Sequence, residues 1–164
     1  MDSIYTKAID RLAYNYLLLK EPDKAYPWYK KLENLDRGNY DIHRRAYVYS
    51  EVGEKEKANG LFNQMEQYLL QIIELSGTTA FFANYDLAGI YAYRGDKQNA
   101  YEYLNTFRQL PRPYEWIVTL IKNDPFFDSI RAEPEFQQIV LEVEAKYRAE
   151  HERISQWLKK IDML

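Results

Sequence analysis

Cysteine is absent from this 164-residue chain, which removes disulfides, thiolate nucleophiles and zinc–cysteine sites from consideration. Histidine is nearly absent too: His43 and His151 stand far apart in sequence, too few and too distant for a metal site. His151-Glu152 opens like the helical zinc-protease motif, but no second histidine follows. The six glycines are scattered and none leads into a Lys-Ser or Lys-Thr pair, so there is no phosphate-binding loop. Long apolar runs are missing; a stretch such as Tyr16–Leu19 is far too short to span a bilayer. MDSIYTKAIDRLAY mixes acidic and basic residues and has no apolar core, unlike a signal peptide. Those first residues already lie inside a helical pattern, so the chain reads as a segment of a longer protein, with the cytoplasm as its expected location. With 22 basic against 25 acidic side chains and no basic stripe, a dedicated nucleic-acid binder is not expected. Glycine and proline are scarce while 46% of residues are apolar, which sets aside disordered and collagen-like classes. The length fits one domain, 1–164.

What is present is a repetition. IDRLAYNYLLL (9–19), IHRRAYVYSEV (42–52) and NYDLAGIYAYR (84–94) align on Ala13, Ala46 and Ala88, each followed three residues later by Tyr16, Tyr49 or Tyr91. A second alanine comes twelve residues after the first, at Ala25, Ala58 and Ala100, and four further on stands a bulky residue, Tyr29, Phe62 or Leu104. Alanine where two helices cross lets the backbones approach, and the large residue one turn away fills the space beside it. Gly53 and Gly95 fall between the halves, where a helix must stop and reverse and a left-handed residue is wanted. In the first copy Lys20-Glu21-Pro22 stands there instead, with Pro22 suited to the first position of the next helix. Each copy therefore predicts helix–turn–helix, over 4–37, 38–76 and 79–110. The second and third copies are offset by 42 residues rather than 33, so the extra residues either extend the second helix of copy two or lengthen the linker after it.

This pattern resembles the tetratricopeptide repeat family, over roughly residues 4–110. Leu12 and Leu87 match the family's usual leucine but Arg45 does not, and the proline that often closes a repeat is missing after Leu35. The resemblance implies an all-α, right-handed α-α superhelix whose first helices line a concave face. Counted from the packing alanine, its inward positions would hold Asp10 and Tyr14 in the first copy, with Lys7 and Leu18 beside them. In the second they would hold Tyr40, His43 and Tyr47, with Glu51, and in the third Phe82, Tyr85 and Tyr93, with Gly89. For each of Tyr14, Tyr47, Tyr85 and Tyr93 two roles are open, facing a ligand or contacting the extended C-terminal region, whereas Tyr16, Tyr49 and Tyr91 belong to packing. His43 is expected at the surface or groove, and Arg44-Arg45 on a solvated face. Repeats that clamp a chaperone's carboxylate tail carry Lys and Asn where this chain has Asp10 and Tyr14, so a cationic clamp is not expected.

After residue 110 the pattern changes. Leu110-Pro-Arg-Pro breaks the third pair, Tyr114–Lys122 predicts another helix with Trp116, Leu120 and Ile121 apolar, and 111–132 reads as a capping region. Asp124-Pro125 and Glu133-Pro134 each predict a helix start. The segment NDPFFDSIRAEPEFQQIV resembles the closing segment after the last repeat of bacterial signalling proteins, and Phe126, Phe127, Ile130 and Phe136 would seal the stack. Of the acidic pair there, Asp124 is explained by capping and Asp128 by solvation. A long helix over 133–162 follows, with Phe136, Val140, Val143, Tyr147, Ile154, Trp157 or Leu158, and Ile161 in a near-heptad rhythm. No catalytic, metal or cofactor-binding residues are expected and an enzyme is not predicted. The expected function is binding a protein or peptide in a Tyr-rich groove, as the C-terminal part of a larger bacterial regulator, without nucleic acid or membrane. The alternative is a homodimer formed through Ile154, Trp157, Leu158 and Ile161.

Overall fold

The structure, a computed structural model, describes residues 3–33, 41–77 and 80–161. Among the described residues are eight α-helices, one short 3-10 turn and no strand. The chain divides into two compact units, Met1–Gly77 and Thr78–Leu164. In the first, α1 (Ser3–Leu18) packs on α2 (Pro22–Leu32) and α3 (Ile42–Glu51) on α4 (Lys55–Ser76), with α2 also against α3. In the second, α5 (Phe81–Tyr93) packs on α6 (Lys97–Phe107). It continues through α7 (Glu115–Asn123), the 3-10 turn Pro125–Phe127 and α8 (Pro134–Lys160); the turn lies on α5, and α8 on α6 and α7.

The repeated alanines explain the three pairings. Ala13, Ala25, Ala46, Ala58, Ala88 and Ala100 are all buried, as are Tyr29, Phe62 and Leu104 beside them. The extra residues of the second copy extend its second helix: α4 has 22 residues where α2 and α6 have 11. Tyr49 is buried as the pattern predicts, but Tyr16 and Tyr91 are only half-buried. The difference lies in what surrounds each ring: Tyr26 and Lys57, from α2 and α4, cover Tyr49, whereas Tyr91 has Tyr103 stacked on it at 5.6 Å and Tyr16 has Lys24 at 5.9 Å.

The turn inside each pair is one structure built three times. Lys20, Gly53 and Gly95 adopt φ of 58°, 94° and 83°. In each, the amide of that residue donates back three residues and the next amide donates back five: to Leu17 and Tyr16, to Ser50 and Tyr49, and to Ala92 and Tyr91. This is the Schellman closure of a helix C-terminus, which satisfies carbonyls the helix itself leaves without donors. Lys20 pays a steric cost that the two glycines avoid. Lys20→Gly is therefore expected to stabilise the first unit by about 0.5–1 kcal/mol, the penalty of a left-handed side-chain-bearing residue less glycine's entropy. A urea midpoint that stays or falls in that variant would contradict the shared-turn account.

Proline sets three of the N-termini: Pro22 begins α2, Pro125 the 3-10 turn and Pro134 α8. At Asp124 the expected helix start is realised as that single 3-10 turn, with the Asp124 carboxylate accepting from the Phe126 amide at 3.2 Å.

Candidate functional site

In the first unit the side chains assigned to a concave groove are largely interior. Asp10, His43 and Tyr47 are buried and Tyr14 is half-buried; Tyr40 lies outside the described residues. His43 is thus not a surface residue, and Arg44 is buried rather than on a solvated face. For Arg44 the physical reason is an aromatic ring that covers its charge. The Arg44 guanidinium lies 4.8 Å from the centre of the Tyr14 ring, across α1 and α3, where a planar cation over a π-face gains attraction once water is excluded. Both act on the buried hydroxyl of Tyr29. Burial pushes that hydroxyl far above its usual range, the Arg44 charge pulls it back, and Asp10 and Asp41 add to the rise.

A second polar cluster ties α2, α3 and α4 together. Tyr26 donates to the Glu54 carboxylate and accepts from Lys30 at 2.9 Å, while its ring meets Tyr49 edge-on at 5.5 Å. Lys57 pairs with Glu33 and sits 4.6 Å from the centre of the Tyr49 ring. Burial pushes the Glu33 carboxyl up, but the paired Lys57 and the nearby Tyr49 outweigh it and hold the group below the usual carboxylate range. These groups fasten helices to one another.

In the second unit the closing segment takes the α5 face that the family resemblance assigns to a ligand. Tyr85 is buried, with its ring 5.0 Å from Phe107 and 5.3 Å from Phe127 and its hydroxyl donating to Asp124 at 3.0 Å. One turn on, Gly89 leaves bare backbone against Phe126, and a Cβ there would stand 3.2 Å from the Phe126 Cβ. Tyr93 meets the Phe126 ring edge-on at 5.8 Å, and Ser129 donates to the Ala92 carbonyl at 2.8 Å. Asp124 is buried and Asp128 is exposed beside Arg131, which donates to it at 2.8 Å. The start of α8 is pinned in the same way: Glu133 accepts from Lys97 and from Tyr101, the latter at 2.7 Å, and these bonds hold its carboxyl below the usual range.

Among the expected groove aromatics that the structure describes, Phe82 reaches the surface. Phe82, in the first turn of α5, is 40% exposed and stacks on Trp116 at 5.5 Å with the planes 21° apart. Trp116, 54% exposed, stacks in turn on Tyr114, 59% exposed, at 6.3 Å and 10°. Three near-parallel rings thus form an exposed ladder at the starts of α5 and α7. No family model matches this chain, and no curated protein or solved structure matches it either. The ladder was missed in the sequence because Trp116 reads as part of the apolar face of α7. Ile117, Val118, Leu120 and Ile121 already complete that buried face, and Trp116 falls just past its edge.

On α8, Phe136, Ile139, Val140 and Val143 are buried, while Ile154, Trp157 and Ile161 are exposed and Leu158 is half-buried. Among the described residues no helix is long and apolar enough to cross a membrane, and no three His, Asp or Glu side chains are grouped to hold a metal ion.

Proposed function

We propose that this chain is a non-catalytic protein-recognition module, built as a right-handed superhelix of the tetratricopeptide type, and that it binds a protein or peptide segment through the Phe82–Trp116–Tyr114 ladder. The ladder is the observation that carries the reading. Large rings held rigid by stacking lose little entropy when a partner covers them, and tryptophan and tyrosine dominate the energetics of interfaces for that reason. The recurrence of buried alanines at matched positions supports the repeat architecture. The recognition surface differs from a Tyr-rich groove because Asp10, His43, Tyr47 and Tyr85 are committed to the interiors of their own units. Asp124, Glu133 and Glu33 likewise hold structural hydrogen bonds or ion pairs, which favours binding over acid–base chemistry. The likeness of residues 124–136 to closing segments of bacterial signalling proteins supports a place in a larger regulator.

Trp116→Ala is expected to weaken capture of a partner by roughly thirtyfold, a loss of about 2 kcal/mol that is typical of a tryptophan hot spot. Circular dichroism of the variant should match the wild type, since most of the Trp116 side chain is already in solvent. Equal capture by Trp116→Ala and wild type, measured by quantitative pull-down against the same extract, would remove the ladder from the recognition surface.

A further inference from the structure

We propose that the middle of α8 is an ionic latch: residues 144–160 are held on α6 and α7 by charge, and let go as ionic strength rises. Up to Val143 the helix is anchored by apolar side chains, with Phe136, Ile139, Val140 and Val143 buried. Beyond Val143 none of its side chains is buried, although the helix continues to Lys160, roughly 25 Å further at 1.5 Å per residue. A helical stretch of that length is marginal in water unless something supports it.

The support is polar. Glu142 and Lys146, one turn apart, bracket the end of α6: Glu142 accepts from the Arg108 guanidinium at 3.3 Å, and Lys146 donates to the Arg108 carbonyl. Arg108 caps the C-terminus of α6, where the helix supplies no donor and a cation is favoured. Lys122, in the last turn of α7, pairs with Glu144 at 2.9 Å, and Arg112, in the link before α7, pairs with Glu150 at 3.6 Å. Past Glu150 the bonds of the described α8 side chains stay within the helix, as from Gln156 to Glu152 at 2.8 Å.

Glu144 and Glu150 have two partners each. Arg148 donates to Glu144 at 2.5 Å and Arg153 to Glu150 at 2.7 Å, both from within α8. A carboxylate that gives up Lys122 or Arg112 therefore keeps a cation, and release strands no charge on α8. Docked and released states are thus close in free energy. Exposed pairs of this kind shift an equilibrium by only about 1.4- to 5-fold each, so three together shift it on the order of tenfold. Lys122 and Arg112 are exposed, where salt screens such pairs. Arg112 also stands two residues before Tyr114, so the latch holds the link that leads into the ring ladder.

The test is backbone amide exchange on the full chain at about 20 and about 500 mM NaCl, between which the screening length falls from roughly 20 Å to roughly 4 Å. Amides of 146–160 should exchange roughly three- to tenfold faster at the higher salt, while those of 139–143 hold their rates. Arg112→Glu combined with Lys122→Glu leaves the sequence of α8, and hence its own helix preference, untouched. In that double variant the same amides should exchange at least as fast at low salt as those of the wild type do at high salt. Added salt should then slow them, since it screens a repulsion. Both cations are exposed, so the amides of α5 and α6 should match the wild type. Equal rates for 146–160 at the two salt concentrations overturn the proposal, as does a double variant that exchanges like the wild type. A rise that includes 139–143 also overturns it, because salt would then be loosening the whole helix. No partner enters the measurement, so failure here leaves the partner-capture result of Trp116→Ala standing, and the reverse.

Discussion

Phe127→Ala should destabilise the second unit by about 4 kcal/mol, within the range for removing a fully buried phenylalanine. The ring is completely buried and packs at 5.3 Å against both Tyr85 of α5 and Phe136 of α8, so its loss leaves a cavity where three elements converge. Collapse into that cavity is hindered from two sides. Tyr85 is held through its hydroxyl by Asp124, and Gly89 already lets Phe126 press on the α5 backbone. Native stabilities of about 5–15 kcal/mol make such a loss about a quarter or more of the total. The measurement is the urea midpoint, with Leu141→Ala as the control: that leucine is exposed on α8 and its loss should move stability by no more than about 0.5 kcal/mol. If Phe127→Ala and Leu141→Ala shift the midpoint equally, the closing turn is not an anchor of this unit.

That closing turn also shows where sequence reasoning reached and where it stopped. The burial of Phe126, Phe127, Ile130 and Phe136 was legible because apolar residues flanking proline-marked starts have nowhere else to go. Their destination was not, since the pairing of residues 37 apart, such as Ser129 with Ala92, leaves no local period to read. One signal was available. Gly89 occupies the position that Tyr14 and Tyr47 hold in the other two copies, and a mid-helix glycine costs about 1 kcal/mol unless something needs the space. Here Phe126 does. Arg44 and His43 were misplaced for a related reason: polar identity predicts exposure, and only the three-dimensional partnership of α1 with α3 sets Arg44 over Tyr14 and lets the charge be buried. The turns were the most legible feature, because three aligned positions, two of them glycine, announced a left-handed residue that Lys20 then adopts as well.

Ala13→Leu tests the repeat framework itself and should cost about 3 kcal/mol, at the upper end for overpacking a filled interior. Ala13 is fully buried in α1, the helix that packs on α2, and its counterparts Ala46 and Ala88 are equally buried in α3 and α5. Leucine brings three further carbons into a contact that alanine permits by its smallness, so either the helices separate or the new side chain leaves its preferred rotamer. Ala8, on the same helix, is exposed, and Ala8→Leu should leave stability within about 0.5 kcal/mol of the wild type. The pair of variants removes intrinsic helix preference from the comparison, because both make the same exchange within one helix and leucine ranks close to alanine. A large loss at Ala13 with none at Ala8, repeated at Ala46 and Ala88, would establish that the matched alanines are contact points between helices. Similar small effects at all four positions would mean that the periodic spacing of alanine does not set how these helices meet, and the proposal of a tetratricopeptide-type architecture would lose its physical basis.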